Sequence, residues 1–297
     1  MVRLRFSVQL GYEITEWPCD FIFNIQAART RCQTIVDEHL VINQPGVAQL
    51  PTAMHTDVAH GNRFIRLRAN AGPLTVRYDA TVDILHHAVA PEKLQEMPIP
   101  QLPPEVLPYL YPSRYCESDK LNVLAMREFG KLPPGYDRVL AIQRWVQARI
   151  GFTSGASNPN TSAVDSLSSS AGVCRDFSHL MIALCRAMSI PARFATGIDY
   201  GADPALGPTD FHAYVEVFLS NRWYLFDASG VAIPMGFVRF GTGRDAADVP
   251  FATIFGGLTS FVPVVSIEAV NDPANGFEVP RHRTEALSTD GNYLSMS

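Results

Sequence analysis

The chain has 297 residues, of which 47% are hydrophobic and 18% charged, and a net charge of −5. That composition belongs to a folded globular protein rather than a disordered one, and the length points to two domains. The acidic balance and the lack of a basic run disfavour nucleic acid as a partner, and no apolar run is long enough to span a membrane.

The first residues, Met1 to Leu10, alternate like a strand and lack the apolar core and cleavage site of a signal peptide. Val2–Leu10, Phe21–Ile25, Thr34–Leu40, Phe64–Ala69 and Leu74–Ile84 are β-rich runs separated by Pro, Gly or polar breaks. They predict an N-terminal β domain over residues 1–90, an antiparallel β-sandwich. That domain is either structural or a cover for one side of a cleft. Prolines at 91, 98, 100, 103, 104, 108 and 112 make residues 91–117 a semi-rigid linker, either a passive spacer or an arm that touches substrate.

Ser118 is placed to cap a helix over Asp119–Phe129, which Pro133-Pro134-Gly135 ends. Asp137 is placed to cap a second helix running to Arg149, with Val139, Leu140, Ile142, Trp145 and Val146 as its buried stripe. Residues 152–170, rich in Ser, Asn, Gly and Thr, read as a long loop forming one wall of a cleft.

The loop leads into an apolar helix. Val173, Phe177, Leu180, Met181, Leu184 and Met188 recur every three or four residues, and Ile190-Pro191 stops the helix. Ser168, Ser169, Ser170 and Gly172 supply turn and N-cap chemistry upstream. Cys174 therefore falls in the first helical turn. Unpaired backbone N–H groups there favour a thiolate, the nucleophilic form of cysteine. A lone cysteine at such a place is more often buried filler, so the case for chemistry rests on a base that could reach it.

Ala192–Tyr200 reads as a strand and residues 201–208 as a turn-rich loop. Two further strand-like runs follow, His212–Leu219 and Trp223–Asp227. If Ser220-Asn221 form a two-residue turn, Leu219 pairs with Arg222 and the register is set. His212 and Asp227 then share one face as a diagonal pair, while Ala213, Val215, Val217 and Leu219 form an apolar face with Tyr224, Phe226 and Ala228. A three-residue loop would separate His212 from Asp227. Taken singly, His212 could be an ordinary strand-end histidine and Asp227 an Asx turn. Together, Cys174, His212 and Asp227 have the order and placement of nucleophile, base and orienter.

Gly172-Val-Cys174-Arg-Asp-Phe, Asp210-Phe-His212-Ala-Tyr-Val-Glu-Val and Trp223-Tyr-Leu-Phe-Asp227 resemble the Cys, His and Asp motifs of the transglutaminase-like superfamily. More narrowly, the chain is similar to bacterial transglutaminase-like candidate cysteine peptidases that carry an N-terminal β domain. Tyr111-Pro-Ser-Arg-Tyr115 and Gly243-Arg-Asp-Ala-Ala-Asp-Val249 also match that group. One departure is Ala-Ser after Asp227, where the group often has Pro-Thr. The resemblance implies an α+β protein: the β domain, then a papain-like, transglutaminase-like core whose Cys-bearing helix packs on an antiparallel sheet carrying His and Asp.

Around this core, Arg175 and Asp176 flank the nucleophile. His179 lies off its helix face and is not expected to be the base. Arg244, Asp245 and Asp248 either line the cleft or form a structural pair. Residues 262–270 read as a strand and close the expected core (118–270); residues 271–297 read as a loose polar tail. Five cysteines at irregular spacings, Cys19, Cys32, Cys116, Cys174 and Cys185, fit a reducing cytoplasm better than a disulfide framework. His55, His60, His86 and His87 lack zinc-type spacing, and no phosphate loop, dinucleotide fingerprint or calcium loop is present, so no metal and no cofactor is expected.

The function expected is thiol-dependent hydrolysis of peptide or amide bonds on a peptide or protein substrate. A protein-glutamine transglutaminase and a non-catalytic peptide-binding module of the same fold are the alternatives. The sequence leaves the oligomeric state open.

Overall fold

Val2, Leu4, Phe6, Val8, Leu10, Tyr12 and Ile14 are all buried, the period of a strand with one face on a core. In the computed structural model, which describes residues 1–57, 60–201 and 209–290, this alternation belongs to one long strand, β1 (Val2–Phe23). It joins the two separate runs expected at Val2–Leu10 and Phe21–Ile25. Its register with a neighbouring strand shifts between Ile14 and Asp20, and the buried positions change from even to odd numbers, to Cys19, Phe21 and Phe23. A bulge has this effect, and it bends the strand.

β2 (Gln33–Asn43), β3 (Thr52–Thr56), β4 (Arg63–Ala69) and β5 (Gly72–Ile84) lie with β1 in the order β2-β5-β1-β4-β3, all antiparallel. The β domain is thus one curled sheet whose strands share a single core. After β6 (His87–Val89), residues 91–110 form three short 3₁₀ turns, Pro91–Lys93, Ile99–Gln101 and Pro104–Leu110. Proline near each start fixes φ for the turn. Leu94, Leu102, Val106 and Tyr109 are buried, so the linker lies along the protein rather than free of it.

α1 (Ser118–Phe129) and α2 (Tyr136–Arg149) occupy the expected places. Ser118 and Asp137 are not their caps. Both lie inside the first turn, behind Glu117 and Gly135. After β7 (Gly151–Phe152), the expected loop over 152–170 contains a helix, α3 (Ala163–Ser169). Ser162 Oγ accepts from the Asp165 N–H at 3.3 Å, and Asp165 accepts from the Ser162 N–H at 3.0 Å. This reciprocal capping box holds a helix that composition alone conceals.

β8 (Ala171–Gly172) runs parallel to β7 and leads into α4 (Cys174–Ala187). β9 (Ala192–Asp199), β10 (His212–Leu219), β11 (Arg222–Phe226) and β12 (Phe237–Gly243) form a second antiparallel sheet, in the order β11-β10-β9-β12. The loop expected over 201–208 lies, apart from Gly201, outside the described residues. α4 is buried all round from Asp176 to Arg186, not along one stripe. The reason is its position between α1, α2 and α3 on one side and β9 and β10 on the other.

Two segments differ from the expected division. β13 (Ala252–Ser260) and β14 (Val264–Ala269), placed by sequence in the core, pair with β1. They cover an edge that so long a strand would otherwise leave open. β15 (Ala286–Ser288), placed in the loose tail, pairs with β6, and residues 286–290 are buried. Leu287 enters the core of the first sheet. Asp290 meets Arg193 and Arg239, both of which also hold the buried Glu216. Among the described residues no helix is long and apolar enough to cross a membrane.

Candidate active site

Cys174 is the first residue of α4. The serines upstream do not cap it; they end α3, with Ser170 in the left-handed region at φ 55°. The cap comes from within the helix. The fully buried Asp176 carboxylate accepts from the Val173 N–H at 2.9 Å, and Arg175 holds its other oxygen at 3.2 Å. Gly172 permits this approach, since a Cβ there would lie 2.7 Å from the Asp176 Cβ. At the head of the helix the Cys174 N–H has no acceptor within the helix. The sulfur lies 4.0 Å from the carbonyl of Phe211, the residue before β10.

The β10–β11 turn is the two-residue one. Ser220 and Asn221 have φ of 46° and 63°, the signature of a tight hairpin matched to the strand twist. Leu219 pairs with Arg222 and Val215 with Phe226. Ala213, Val215, Val217, Leu219, Tyr224, Phe226 and Ala228 join the core around α4. His212 and Asp227 meet, with Nε2 of the ring 3.3 Å from Oδ1 of the carboxylate. Asp227 also accepts from the Ser229 N–H (3.1 Å), the Ser229 hydroxyl (2.7 Å) and the Ala232 N–H (2.8 Å). It is both an Asx turn and the histidine's partner.

Competing effects fix the charges. Burial disfavours a charged His212, but Asp199, the Cys174 sulfur and Asp227 outweigh it and hold the imidazolium well above the ordinary histidine range. Burial likewise disfavours a charged Asp227, yet His212, Ser229 and the Ala232 N–H outweigh it and keep the carboxyl below its usual value. Ion-pair and hydrogen-bond contributions win in both cases because they are shielded from water.

Asp199 was not anticipated. It ends β9 two residues beyond Gly197, the cross-strand partner of His212, and so shares the histidine's face. Its Oδ2 lies 3.7 Å from His212 Nδ1. Burial pushes its carboxyl up to about 6. The available sequence signal was an acidic residue closing the strand that comes just before the His strand.

Cys174, His212 and Asp199 line one cleft of about 770 Å³. Phe152, Ser154 and Pro159 contribute from the 152–170 segment, as expected of a cleft wall. Phe251 and Pro263, which flank β13, line another part, and Phe251 stacks on Phe211 with ring centres 4.4 Å apart. Because β13 and β14 belong to the first sheet, the β domain reaches the cleft.

His179, Arg244 and Asp248 do not join the cluster. His179 is buried, accepts from the Ala246 N–H at 3.2 Å and stacks on Tyr115. Burial, with Arg175 and Arg186 nearby, keeps it neutral, well below the ordinary histidine range. Arg244 and Asp248 form a bidentate structural pair at 2.9 and 3.0 Å. All five cysteines are free. Burial pushes Cys116 up to about 12 and moves Cys185 in the same direction.

A cysteine at the start of a buried helix, facing a histidine and an aspartate on an antiparallel sheet, defines an α+β protein with a transglutaminase-like core. Residues 125–228 match the transglutaminase-like superfamily, and residues 2–105 match the bacterial transglutaminase N-terminal domain. The chain belongs to the transglutaminase-like superfamily. It is similar to a candidate cysteine protease from Cytophaga hutchinsonii whose crystal structure superposes with a TM-score of 0.86. The identity is 37%, over 97% of both chains. An uncharacterized protein of Mycobacterium leprae is 28% identical over 86% of this chain and 94% of its own length. The periplasmic domain of TgpA from Pseudomonas aeruginosa is 17% identical over 79% of this chain and 92% of that domain, with a TM-score of 0.38.

Proposed function

We propose that the protein is a thiol acyl-transfer enzyme that hydrolyses peptide or amide bonds through Cys174, His212 and Asp227. The observation that carries this reading is the 3.3 Å approach of His212 Nε2 to Asp227 beside the cleft that Cys174 also lines. The Cys174 sulfur attacks the carbonyl carbon, and the resulting oxyanion is met by the Cys174 N–H at the head of α4. His212 gives its proton to the departing amine as the C–N bond breaks, leaving a thioester. Water then attacks the acyl carbon, His212 takes its proton, and the S–C bond breaks to release the acid and return the thiolate beside the imidazolium. Asp227 fixes the ring orientation throughout.

The substrate proposed is a peptide or protein segment, which a cleft of about 770 Å³ with Phe152, Phe211 and Phe251 in its walls suits. Five unpaired cysteines favour a reducing compartment, the cytoplasm. Mass spectrometry of a Gln-containing peptide, with and without an added primary amine, tests the reaction class. A product gaining one water, lost in Cys174→Ala, is expected. An amine adduct forming faster than the acid would make the protein a transglutaminase. Iodoacetamide tests the nucleophile: a Cys174 that labels no faster than a model thiol at any pH overturns the enzyme reading.

A further inference from the structure

We propose that Asp199 is a positioning residue of this site, a second carboxylate that clamps the His212 ring from the side opposite Asp227. The proposal rests on the acyl-transfer reading above. The ring has two nitrogens, and each faces an acid: Nε2 faces Asp227 Oδ1 at 3.3 Å, and Nδ1 faces Asp199 Oδ2 at 3.7 Å. With Nε2 committed to Asp227, Nδ1 is the nitrogen left for the Cys174 sulfur. Asp199 therefore stands beside the nitrogen that exchanges the proton.

Stability does not explain this carboxyl. Asp199 is 2% exposed, and its Oδ1 has no hydrogen-bond partner among the described residues. The Tyr214 hydroxyl nearby is buried and equally unpartnered. An apolar side chain of similar size would avoid both the buried charge and the orphaned oxygen. Charge at His212 is what the residue supplies. Among the other groups around the ring, α4 contributes Cys174, β10 itself Tyr214, and the segment after β11 Asp227. Asp210 and Arg175 line the same cleft, and Phe237, opposite Asp199 on β12, is uncharged. Asp199 is the largest of the influences that favour the imidazolium.

The test is the titration of His212 itself, followed by NMR of ¹³C-labelled histidine rings and assigned by the signal missing in His212→Gln. In Asp199→Asn and Asp199→Ser the ring midpoint is expected to fall by about one to three pH units, the usual effect of a removed counter-charge. The alkaline limb of Cys174 alkylation by chloroacetate, an anion drawn to the imidazolium, is expected to fall with it. A packing role alone would lower the alkylation rate at every pH without moving the limb. In the wild type the ring signal is expected to show a second, smaller inflection near 6, where Asp199 titrates. That inflection is read without any substitution, so misfolded variants do not shield the proposal. An unchanged midpoint in folded variants, or a wild-type curve without the second inflection, overturns the role of Asp199. A wild-type Cys174 that labels only as a model thiol instead overturns the acyl-transfer reading.

Discussion

His212 and Asp227 are 15 positions apart in the chain, yet Nε2 of one lies 3.3 Å from Oδ1 of the other. The contact crosses a hairpin whose turn contains two residues. Replacing Asp227 with Ala removes the ring's partner and also leaves the Ser229 and Ala232 N–H groups unpaired. The first loss lets the imidazole turn from Cys174. Iodoacetamide labelling of Cys174 at pH 7 is expected to slow by about tenfold, toward a free thiol that is only a few per cent ionised there. The second is expected to lower the urea unfolding free energy by about 1–3 kcal/mol. Labelling at the wild-type rate in a folded variant would exclude Asp227 from the site.

The hairpin turn makes its own prediction. Asn221 sits at φ 63°, where a β-branched side chain clashes with its own backbone. Asn221→Val is expected to cost about 1–2 kcal/mol in denaturant unfolding, and Asn221→Gly close to nothing. A neutral Asn221→Val would mean that the turn relaxes to another form. The 212–227 register would then lack its anchor.

Glu216 is fully buried between Arg193 and Arg239, with Asp290 from the last described residues beside both arginines. Removing one partner of a buried ion network leaves charge stranded at low dielectric. Glu216→Ala is expected to destabilise the protein by about 3–5 kcal/mol. Ending the chain at Glu285 removes β15 and Asp290 together and is expected to lower the melting temperature measurably. A truncated protein as stable as the full chain would show that this segment is not part of the folded unit.

His179 sets an acid limit to stability. Its folded-state value lies well below that of the unfolded chain, so it stays neutral when folded. As pH falls through the ordinary histidine value of ~6.5, the unfolded chain binds a proton that the folded one refuses, and stability drops. His212 has the opposite sign: raised when folded, it contributes fully below ~6.5, and that contribution is lost as pH rises through its folded value. Urea midpoints between pH 7 and 5 should therefore fall less steeply in His179→Gln than in the wild type. Parallel curves would show that His179 does not drive the decline.

Local patterns made much of the site legible. The three- and four-residue spacing after Cys174 defines its helix, and side-chain alternation in two neighbouring runs places His212 and Asp227 on one face once the turn holds two residues. These are short-range consequences of backbone geometry, which a sequence records directly. The start of α4 was legible only in part, because Asp176 caps it from inside the helix while the serines upstream serve α3. That helix was hidden because its signal is a single Ser162–Asp165 pair within a polar run.

Long-range pairing was decided only in three dimensions. Nothing local in residues 252–269 says that they will complete a sheet begun at Val2, or that residues 286–290 will bury Asp290 against Arg193 and Arg239. Such contacts depend on which edges and charges the rest of the fold leaves unsatisfied. Asp199 belongs to the same category: its strand was visible in the sequence. Its nearness to His212 follows from β9 pairing with β10, and that partnership is set by how the two strands pack together around α4.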